Sequence, residues 1–309
     1  MNIKNIWICG VGGVGGYFGG KIANKISELE KKNKIYFLAR GLHLEEIKKK
    51  GLKLNTSNGE ELICTPTLAS DDIKDFPVPD LCLICVKSYD LDDLIIRIKK
   101  KLANNTIIIP LMNGIDIYDR IRKNLKKSIV LPTCVYIGSH IEKPGLIIQS
   151  GNPGFFFCGF DPKYPNFNPQ NIIDFFNEME INLNWRNDPY PKIWEKYVLV
   201  ASFALVSAHT GQTLGGIIDD KNSLDILKKI MNEIVTIAER KGIKLAENII
   251  EDIIEFCKDY PDVRTSYQRD IEKGKKNEGD LFGGALMRMG KETGIPTPMT
   301  TSIYKKIIN

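Results

Sequence analysis

The stretch Gly10-Val11-Gly12-Gly13-Val14-Gly15 has glycine at its first, third and sixth positions and decides the fold. It follows the apolar run 3–8 and opens an amphipathic segment at 14–28, which predicts a strand, a tight turn and a helix. The first glycine permits the turn, the second lets the backbone approach a pyrophosphate, and the third lets helix and strand pack closely. The helix N-terminus adds N–H groups and a dipole that favour phosphate. A dinucleotide site is therefore expected, and a glycine-rich turn without ligand is the alternative. The expected cofactor-binding residues are Gly10, Gly12, Gly13, Val14 and Gly15.

The first half of the chain repeats this alternation of short apolar runs and amphipathic segments. Such a pattern is typical of βα units on a parallel sheet. We expect a Rossmann-type, doubly wound sheet. Further strands are predicted at 35–39, 81–86, 107–111 and 129–135, and further helices at 42–50, 91–102 and 115–125.

Two parts of the first half depart from the alternation. Segments 52–55 and 60–64 flank Asn58-Gly59, a pair suited to a tight hairpin, so a small antiparallel flap is expected there. Segment 130–160 is β-rich and interrupted by proline and glycine, which predicts antiparallel strands that extend the same sheet. A helix at 169–179 and a strand at 181–185 would close the domain.

The second part of the chain has a different character. After residue 188 the pattern is helical, with no further strand signal, at 193–208, 223–241, 247–256 and 281–292. The length of 309 residues suits two domains. The fold class expected is therefore α/β: a Rossmann-type dinucleotide-binding domain at 1–188, followed by an all-α substrate and catalytic domain at 189–309.

Composition excludes several classes of protein. The net charge of +5 is the excess of 43 basic over 38 acidic residues, and the lysines are scattered along the chain, which does not predict nucleic-acid binding. The start of the chain lacks the features of a signal peptide, and no apolar run reaches about 18 residues, so we expect a cytoplasmic protein without a membrane partner. The apolar helix faces are compatible with a homodimer, but sequence does not separate a dimer face from a core face.

One cysteine spacing invites a metal or redox interpretation. Cys82 and Cys85 form a CxxC pair. They lie in the continuous apolar run 80–86, typical of a buried parallel strand, where residues three apart point to opposite faces. We therefore expect packed cysteines and no metal site.

The residue after the second predicted strand indicates which dinucleotide binds. An NAD-binding protein offers Asp or Glu there to the ribose hydroxyls, whereas this chain has Arg40. A guanidinium can grip a 2′-phosphate and stack on adenine. The expected cofactor is NADP (NADPH); the alternative for Arg40 is a solvated surface arginine.

Motifs along nearly the whole chain resemble those of ketopantoate reductases (2-dehydropantoate 2-reductases). They are the glycine stretch, Leu38-Ala39-Arg40-Gly41, Val86-Lys87, Met112-Asn113-Gly114, Ile193-Trp194-Glu195-Lys196, Thr265-Ser266-Tyr267-Gln268-Arg269-Asp270-Ile271-Glu272-Lys273-Gly274 and Asn277-Glu278. The resemblance implies a two-domain arrangement similar to 6-phosphogluconate dehydrogenases. It also implies NADPH-dependent reduction of 2-dehydropantoate to pantoate, in pantothenate synthesis.

The resemblance also implies roles for individual residues. Lys196 is the proton donor, and Glu278 contacts the substrate hydroxyl and the lysine. Ser266 binds the substrate carboxylate, Asn113 contacts nicotinamide-side groups and substrate, and Lys87 reaches towards the cofactor. Unaided by the resemblance, each would be interpreted as a surface or turn residue.

Three positions depart from the family pattern. Val200 and Ala204, four and eight residues after Lys196, stand where the family has asparagines that point at substrate. Tyr267 stands where it usually has methionine. A site built on hydrogen bonds discriminates strongly when they change. Another small 2-oxo acid therefore stays open as the substrate, as does a catalytically silent NADP-binding sensor. Ser202, Ser207 or His209 could supply replacement polar groups, but the pattern favours small or packed residues on a buried helix for each of them.

Overall fold

The computed structural model describes residues 3–308. The chain divides into two compact units. The first comprises the chain up to Met112 together with Ile117–Pro189, and the second comprises Asn113–Asp116 together with the chain from Tyr190 onward. Within the described part, no helix is both long and apolar enough to cross a membrane.

Among residues 3–308 all strands lie in the first unit, and helices dominate the second. The strands are β1 (Asn5–Cys9), β2 (Lys34–Leu38), β3 (Leu52–Asn55), β4 (Glu61–Cys64), β5 (Leu68–Ser70), β6 (Leu81–Ile84), β7 (Ile107–Pro110), β8 (Ile129–Val130), β9 (Thr133–Lys143), β10 (Leu146–Gly159) and β11 (Asn182–Arg186). The helices are α1 (Gly13–Glu28), α2 (Gly41–Lys50), α3 (Leu91–Ile98), α4 (Ile117–Asn124), α5 (Gln170–Glu178), α6 (Tyr190–Thr210), α7 (Leu214–Asp219), α8 (Lys221–Arg240), α9 (Ile249–Lys258), α10 (Ser266–Glu272), α11 (Ala285–Thr293) and α12 (Pro298–Ile308).

A parallel sheet forms the core of the first unit. Its strand order is β5-β2-β1-β6-β7-β8, and every neighbouring pair is parallel. Its central strands are apolar and buried, as a parallel sheet covered on both faces requires. The predicted Rossmann-type sheet followed by helices is confirmed, and β5 joins it as an unpredicted edge strand.

A second sheet forms where an extension of the parallel sheet was predicted, so that prediction is wrong, although β9 and β10 pair antiparallel as expected. The strands β11-β10-β3-β4, with β9 paired to β10, form a separate sheet. The strand predicted at 129–135 breaks into β8 and β9 around Pro132, which has no N–H to offer to a ladder. The predicted hairpin at 52–64 is confirmed as the antiparallel pair β3–β4, but it belongs to this second sheet.

Helix α1 packs against strands of both sheets, and glycines let it do so. A Cβ on Gly16 would lie 2.5 Å from Ile147 Cγ1 in β10, and a Cβ on Gly19 would lie 2.9 Å from Ile8 Cγ1 in β1. Neither separation is tolerated between carbon atoms, so the absence of a side chain sets how closely helix and sheets approach. The extra glycines after the predicted turn therefore have a packing role.

The second unit is built around α6. This helix of 21 residues is buried along most of its length, and α8, α10, α12 and a π-helical turn at Asp280–Gly284 pack against it. The unpredicted helices include α12, whose N-terminus is held from α8: Glu233 accepts hydrogen bonds from the backbone N–H of Met299 at 2.7 Å and of Thr300 at 3.0 Å.

Candidate functional site

The glycine turn joins β1 to α1 at the carboxyl end of the parallel sheet. Gly10 has a φ of +95°, a left-handed conformation that favours glycine. A Cβ on Gly15 would overlap the Gly10 carbonyl oxygen, and one on Gly13 would overlap the Ser139 carbonyl oxygen in β9. Gly10 and Gly15 therefore fix the turn, and Gly13 lets the helix start pass close to the second sheet.

Gly12 differs from these neighbours because its missing side chain faces open space. A Cβ there would have nothing within 4 Å. Gly12 is the N-cap of α1, no side chain caps it, and the first turn of α1 carries no acidic residue. The first helical bond runs from Gly16 N–H to Gly12 C=O at 2.7 Å, which leaves the preceding N–H groups outside the helical ladder. These features fit the pyrophosphate of a dinucleotide.

Arg40 follows β2, next to the turn. Its side chain is 82% exposed, and its Nη2 donates to Asp90 Oδ2 at 2.9 Å. Asp90 ends the 3-10 turn Ser88–Asp90, which follows β6 on the other side of β1. Lys87 precedes that turn and is half-buried. The two residues predicted to reach the cofactor thus follow the two strands that flank β1.

The CxxC pair in and directly after β6 is packed, as predicted. Cys82 Sγ lies 3.6 Å from Cys9 Sγ on the neighbouring strand, and both are buried. Burial raises the pKa of the Cys85 thiol well above its usual value. A buried neutral thiol is unreactive, so these cysteines belong to the core.

Lys196 and Glu278 are both buried within the second unit, each with 8% of its surface exposed. Charged side chains are seldom buried so far unless they are paired or functional. Lys196 lies on α6, and Glu278 precedes the π-helical turn.

Tyr197 connects the segments that carry these two residues. Its hydroxyl lies 2.8 Å from the Leu281 carbonyl oxygen and 3.0 Å from that of Phe282. The Leu281 N–H in turn donates to the Glu278 carbonyl at 3.0 Å. Burial, with Asp116 adding to it, raises the pKa of Tyr197 well above its usual value, so the hydroxyl stays a donor. Sequence reasoning missed this residue, although it adjoins the predicted Lys196.

Asn113 belongs to a short segment that packs with the second unit. It is half-buried and precedes Gly114, whose φ is +118°. Arg288 pairs with both Asp280 oxygens, at 2.7 and 3.0 Å, and its Nη2 lies 3.8 Å from Asp116 Oδ2. Arg288 therefore ties the Asn113 segment to the turn that follows Glu278.

Ser266 is the exposed first residue of α10. The preceding Thr265 caps the helix by accepting from Gln268 N–H, and its Oγ1 lies 2.7 Å from Ser207 Oγ on α6. The start of α10 is thereby fixed to the helix that carries Lys196.

Comparison with known proteins identifies the family. The model of the ketopantoate reductase PanE/ApbA family matches residues 6–161, and the model of its C-terminal part matches residues 189–309. The chain belongs to the ketopantoate reductase family. Members of this family are oxidoreductases, and this chain is one of them.

Individual relatives are distant but match from end to end. A 2-dehydropantoate 2-reductase of Pyrococcus horikoshii is 25% identical, over 97% of this chain and 95% of its own. The crystal structure of a ketopantoate reductase from Ralstonia eutropha has a TM-score of 0.87 at 24% identity, over 98% of this chain and 97% of its own. A D-mandelate dehydrogenase solved with NADH and anilino(oxo)acetate has a TM-score of 0.85 at 21% identity, over 98% of this chain and 97% of its own. These two structures share the fold.

The departures from the family pattern lie on and beside α6. Val200 is half-buried and Ala204 is buried. The proposed polar replacements are engaged elsewhere: Ser202 donates to the Val198 carbonyl of its own helix at 2.5 Å, and Ser207 pairs with Thr265. His209 lies at the partly exposed end of α6, where burial and Lys306 lower its pKa.

Tyr267 is a further departure from the family pattern. Its ring is buried, with its centroid 5.6 Å from that of Phe282, and its hydroxyl abuts Gly279. Within the described part of the chain its hydroxyl has no hydrogen-bond partner. Burial raises the pKa of Tyr267, so the group is neutral and packs beside Ser266 and Glu278 as a bulky aromatic residue.

Proposed function

We propose that the protein reduces 2-dehydropantoate to pantoate with NADPH, as part of pantothenate and coenzyme A synthesis. The burial of Lys196 and Glu278 on segments joined through Tyr197 carries this proposal. A chain that only binds a dinucleotide has no need to bury two charged side chains, because such burial costs free energy.

The residues of the second unit divide the chemistry among them. Bound NADPH supplies a hydride to the carbonyl carbon of the 2-oxo acid. Lys196 donates a proton to the carbonyl oxygen and stabilises the negative charge that develops there. Glu278 holds the ammonium group and the new hydroxyl, Ser266 binds the substrate carboxylate, and Asn113 contacts the substrate and the nicotinamide side of the cofactor. The ketone thereby gains one hydride and one proton and becomes a secondary alcohol.

The first unit holds the cofactor in this proposal. The N–H groups at Gly12, Gly13, Val14 and Gly15 bind the pyrophosphate, Lys87 reaches the cofactor, and Arg40 binds the 2′-phosphate. The exposure of Arg40 at the end of β2 supports that role, since an exposed guanidinium is available to an incoming phosphate. Residues 1–188 would then form the NADP-binding domain and 189–309 the substrate domain of a cytoplasmic enzyme.

A second candidate substrate is a larger, more apolar 2-oxo acid. Val200 and Ala204 remove two amides, and Ser202 and Ser207 do not replace them. An apolar wall binds an alkyl or aryl group better than a hydroxylated one. The D-mandelate dehydrogenase solved with anilino(oxo)acetate shows that this fold accommodates an aryl-bearing ligand.

Steady-state oxidation of NADPH tests both candidates. The substrates are 2-dehydropantoate and a panel of 2-oxo acids that ends with phenylglyoxylate, and NADPH binding is measured separately by fluorescence. The first candidate predicts the highest kcat/KM for 2-dehydropantoate. A higher value for phenylglyoxylate supports the second candidate. Binding of NADPH without any turnover overturns both and leaves an NADP-binding sensor.

A further inference from the structure

The ion pair between Arg40 and Asp90 lies where the cofactor preference is decided. In the parallel sheet β1 lies between β2 and β6. Leu38 at the end of β2 and Ile84 at the end of β6 both align with Cys9, the last residue before the glycine turn. Arg40 and Asp90 follow these flanking strands, so their pair spans the carboxyl end of β1.

The segment that carries Asp90 is fixed by hydrogen bonds of Asp90 and of its neighbours Ser88 and Asp92. Its N–H donates to the Lys87 carbonyl at 2.9 Å, and Arg120 donates to the Ser88 carbonyl at 2.6 Å. Arg120 also pairs with Asp92 at 2.9 Å. Asp90 is the N-cap of α3, where the helix dipole favours a carboxylate. Its side chain is 30% exposed against 82% for Arg40, so the carboxylate is the more enclosed partner and the guanidinium the more accessible one.

We infer that Asp90 is a specificity-determining residue that competes with the 2′-phosphate of NADPH for the Arg40 guanidinium. This inference rests on the proposed function, in which Arg40 binds that phosphate. Asp90 occupies Nη2, one of the two nitrogens that present parallel N–H donors to a phosphate. NADH has no 2′-phosphate and does not meet this competition. Asp90 therefore lowers the preference for NADPH and keeps NADH acceptable.

The test is equilibrium binding of NADPH and NADH to the full chain, followed by the fluorescence of the reduced nicotinamide, without any 2-oxo acid. Asp90→Asn keeps the shape of the side chain and removes its charge. It should lower the Kd for NADPH about three- to tenfold, the order expected for one charge near the surface, and change the Kd for NADH less than about twofold. Asp93→Asn, an exposed residue in the first turn of α3, removes the same charge as a matched control and should have little effect.

A double-mutant comparison separates competition from a general charge effect. In an Arg40→Ala background, Asp90→Asn should have no more effect than Asp93→Asn. Weaker NADPH binding in Asp90→Asn would overturn the inference, because Asp90 would then position Arg40 for the phosphate. Equal changes for both cofactors, or an equal effect of Asp93→Asn, would also overturn it. Failure of the proposed reaction leaves these binding results intact.

Discussion

The candidate sites of the two units are built by different means. In the first unit the glycine turn is made of backbone: a positive φ at Gly10, a close approach at Gly15 and open space at Gly12. In the second unit the site is made of side chains from α6, the π-helical turn and the start of α10. The glycine turn consists of six consecutive residues, whereas the site of the second unit forms only after distant segments have packed.

The largest expected effect is the loss of turnover on substitution of Lys196, which should separate catalysis in the second unit from cofactor binding in the first. Lys196→Ala should lower kcat about 10²- to 10⁴-fold, the usual range for loss of a general acid, and change the Kd for NADPH less than about twofold. Lys228→Ala removes an exposed lysine from α8 in the same unit and serves as the control. Steady-state kinetics and NADPH titration give both numbers. An equal loss of turnover and NADPH affinity would contradict the proton-donor role.

The next effect tests whether the glycine turn binds through its backbone. Gly12→Ala places a methyl group in open space, so the protein should fold normally while its affinity for NADPH falls about tenfold or more, since the methyl group displaces the pyrophosphate. Gly15→Ala is the contrasting variant, because its methyl group overlaps the Gly10 carbonyl and should destabilise the fold. Thermal melting and NADPH titration measure the two outcomes. Wild-type affinity in Gly12→Ala would rule out this placement of the pyrophosphate.

Arg40→Ala tests the proposed role of Arg40 in the choice of dinucleotide. The Kd for NADPH should rise about tenfold or more, while that for NADH should change little, because charge-assisted bonds to the 2′-phosphate contribute roughly 1.5–3 kcal/mol. Titration with both cofactors is the measurement. Equal losses for the two would show that Arg40 contributes no preference for a phosphate.

Sequence predicted local patterns better than pairings between distant segments, for a physical reason. The alternation of βα units and the glycine turn are local patterns, and both were confirmed in the parallel sheet. The separate second sheet was not predicted, because the break at Pro132 and the pairing of β10 with β3 join distant segments. Helix α12 was missed because its N-terminus is held by Glu233, far away in sequence.

The candidate site residues show the same difference between local patterns and long-range contacts. The glycines and Arg40 were identified by their place after strands, whereas the roles of Lys196, Glu278 and Ser266 rested on the resemblance to a family. The pair between Arg40 and Asp90 joins residues 50 apart and appeared only in the structure. A search for acidic residues after the strand next to β1 would have found Asp90, since parallel strands end at one edge.

Ser207 tests how firmly α10 must be held for Ser266 to act. Ser207→Ala removes the bond to Thr265 and should lower the free energy of unfolding by about 1 kcal/mol. It should also raise KM for the 2-oxo acid a few-fold with little change in kcat. Ser202→Ala is a matched control, because that buried serine bonds within α6. Equal kinetic effects of the two substitutions would mean that the link to α10 does not matter.

The smallest effect concerns pH, and it compares a histidine of each unit. His43 accepts a hydrogen bond at Nδ1 from Gly145 N–H at 3.0 Å, and burial lowers its pKa below the usual 6.5. Since the unfolded chain binds a proton at this histidine more readily, the stabilisation is complete above about pH 6.5 and is lost as the pH falls below it.

The variant His43→Asn keeps a hydrogen-bond acceptor that does not titrate. Its melting temperature should therefore fall less between neutral pH and pH 5.5 than that of the wild type. His140→Asn, at an exposed histidine, is the control. Acid sensitivity that survives in His43→Asn should include a contribution from His209 in the second unit, whose pKa is lowered by burial and by Lys306. If His43→Asn melts with the wild-type pH dependence, the bond to Gly145 does not depend on the neutral imidazole.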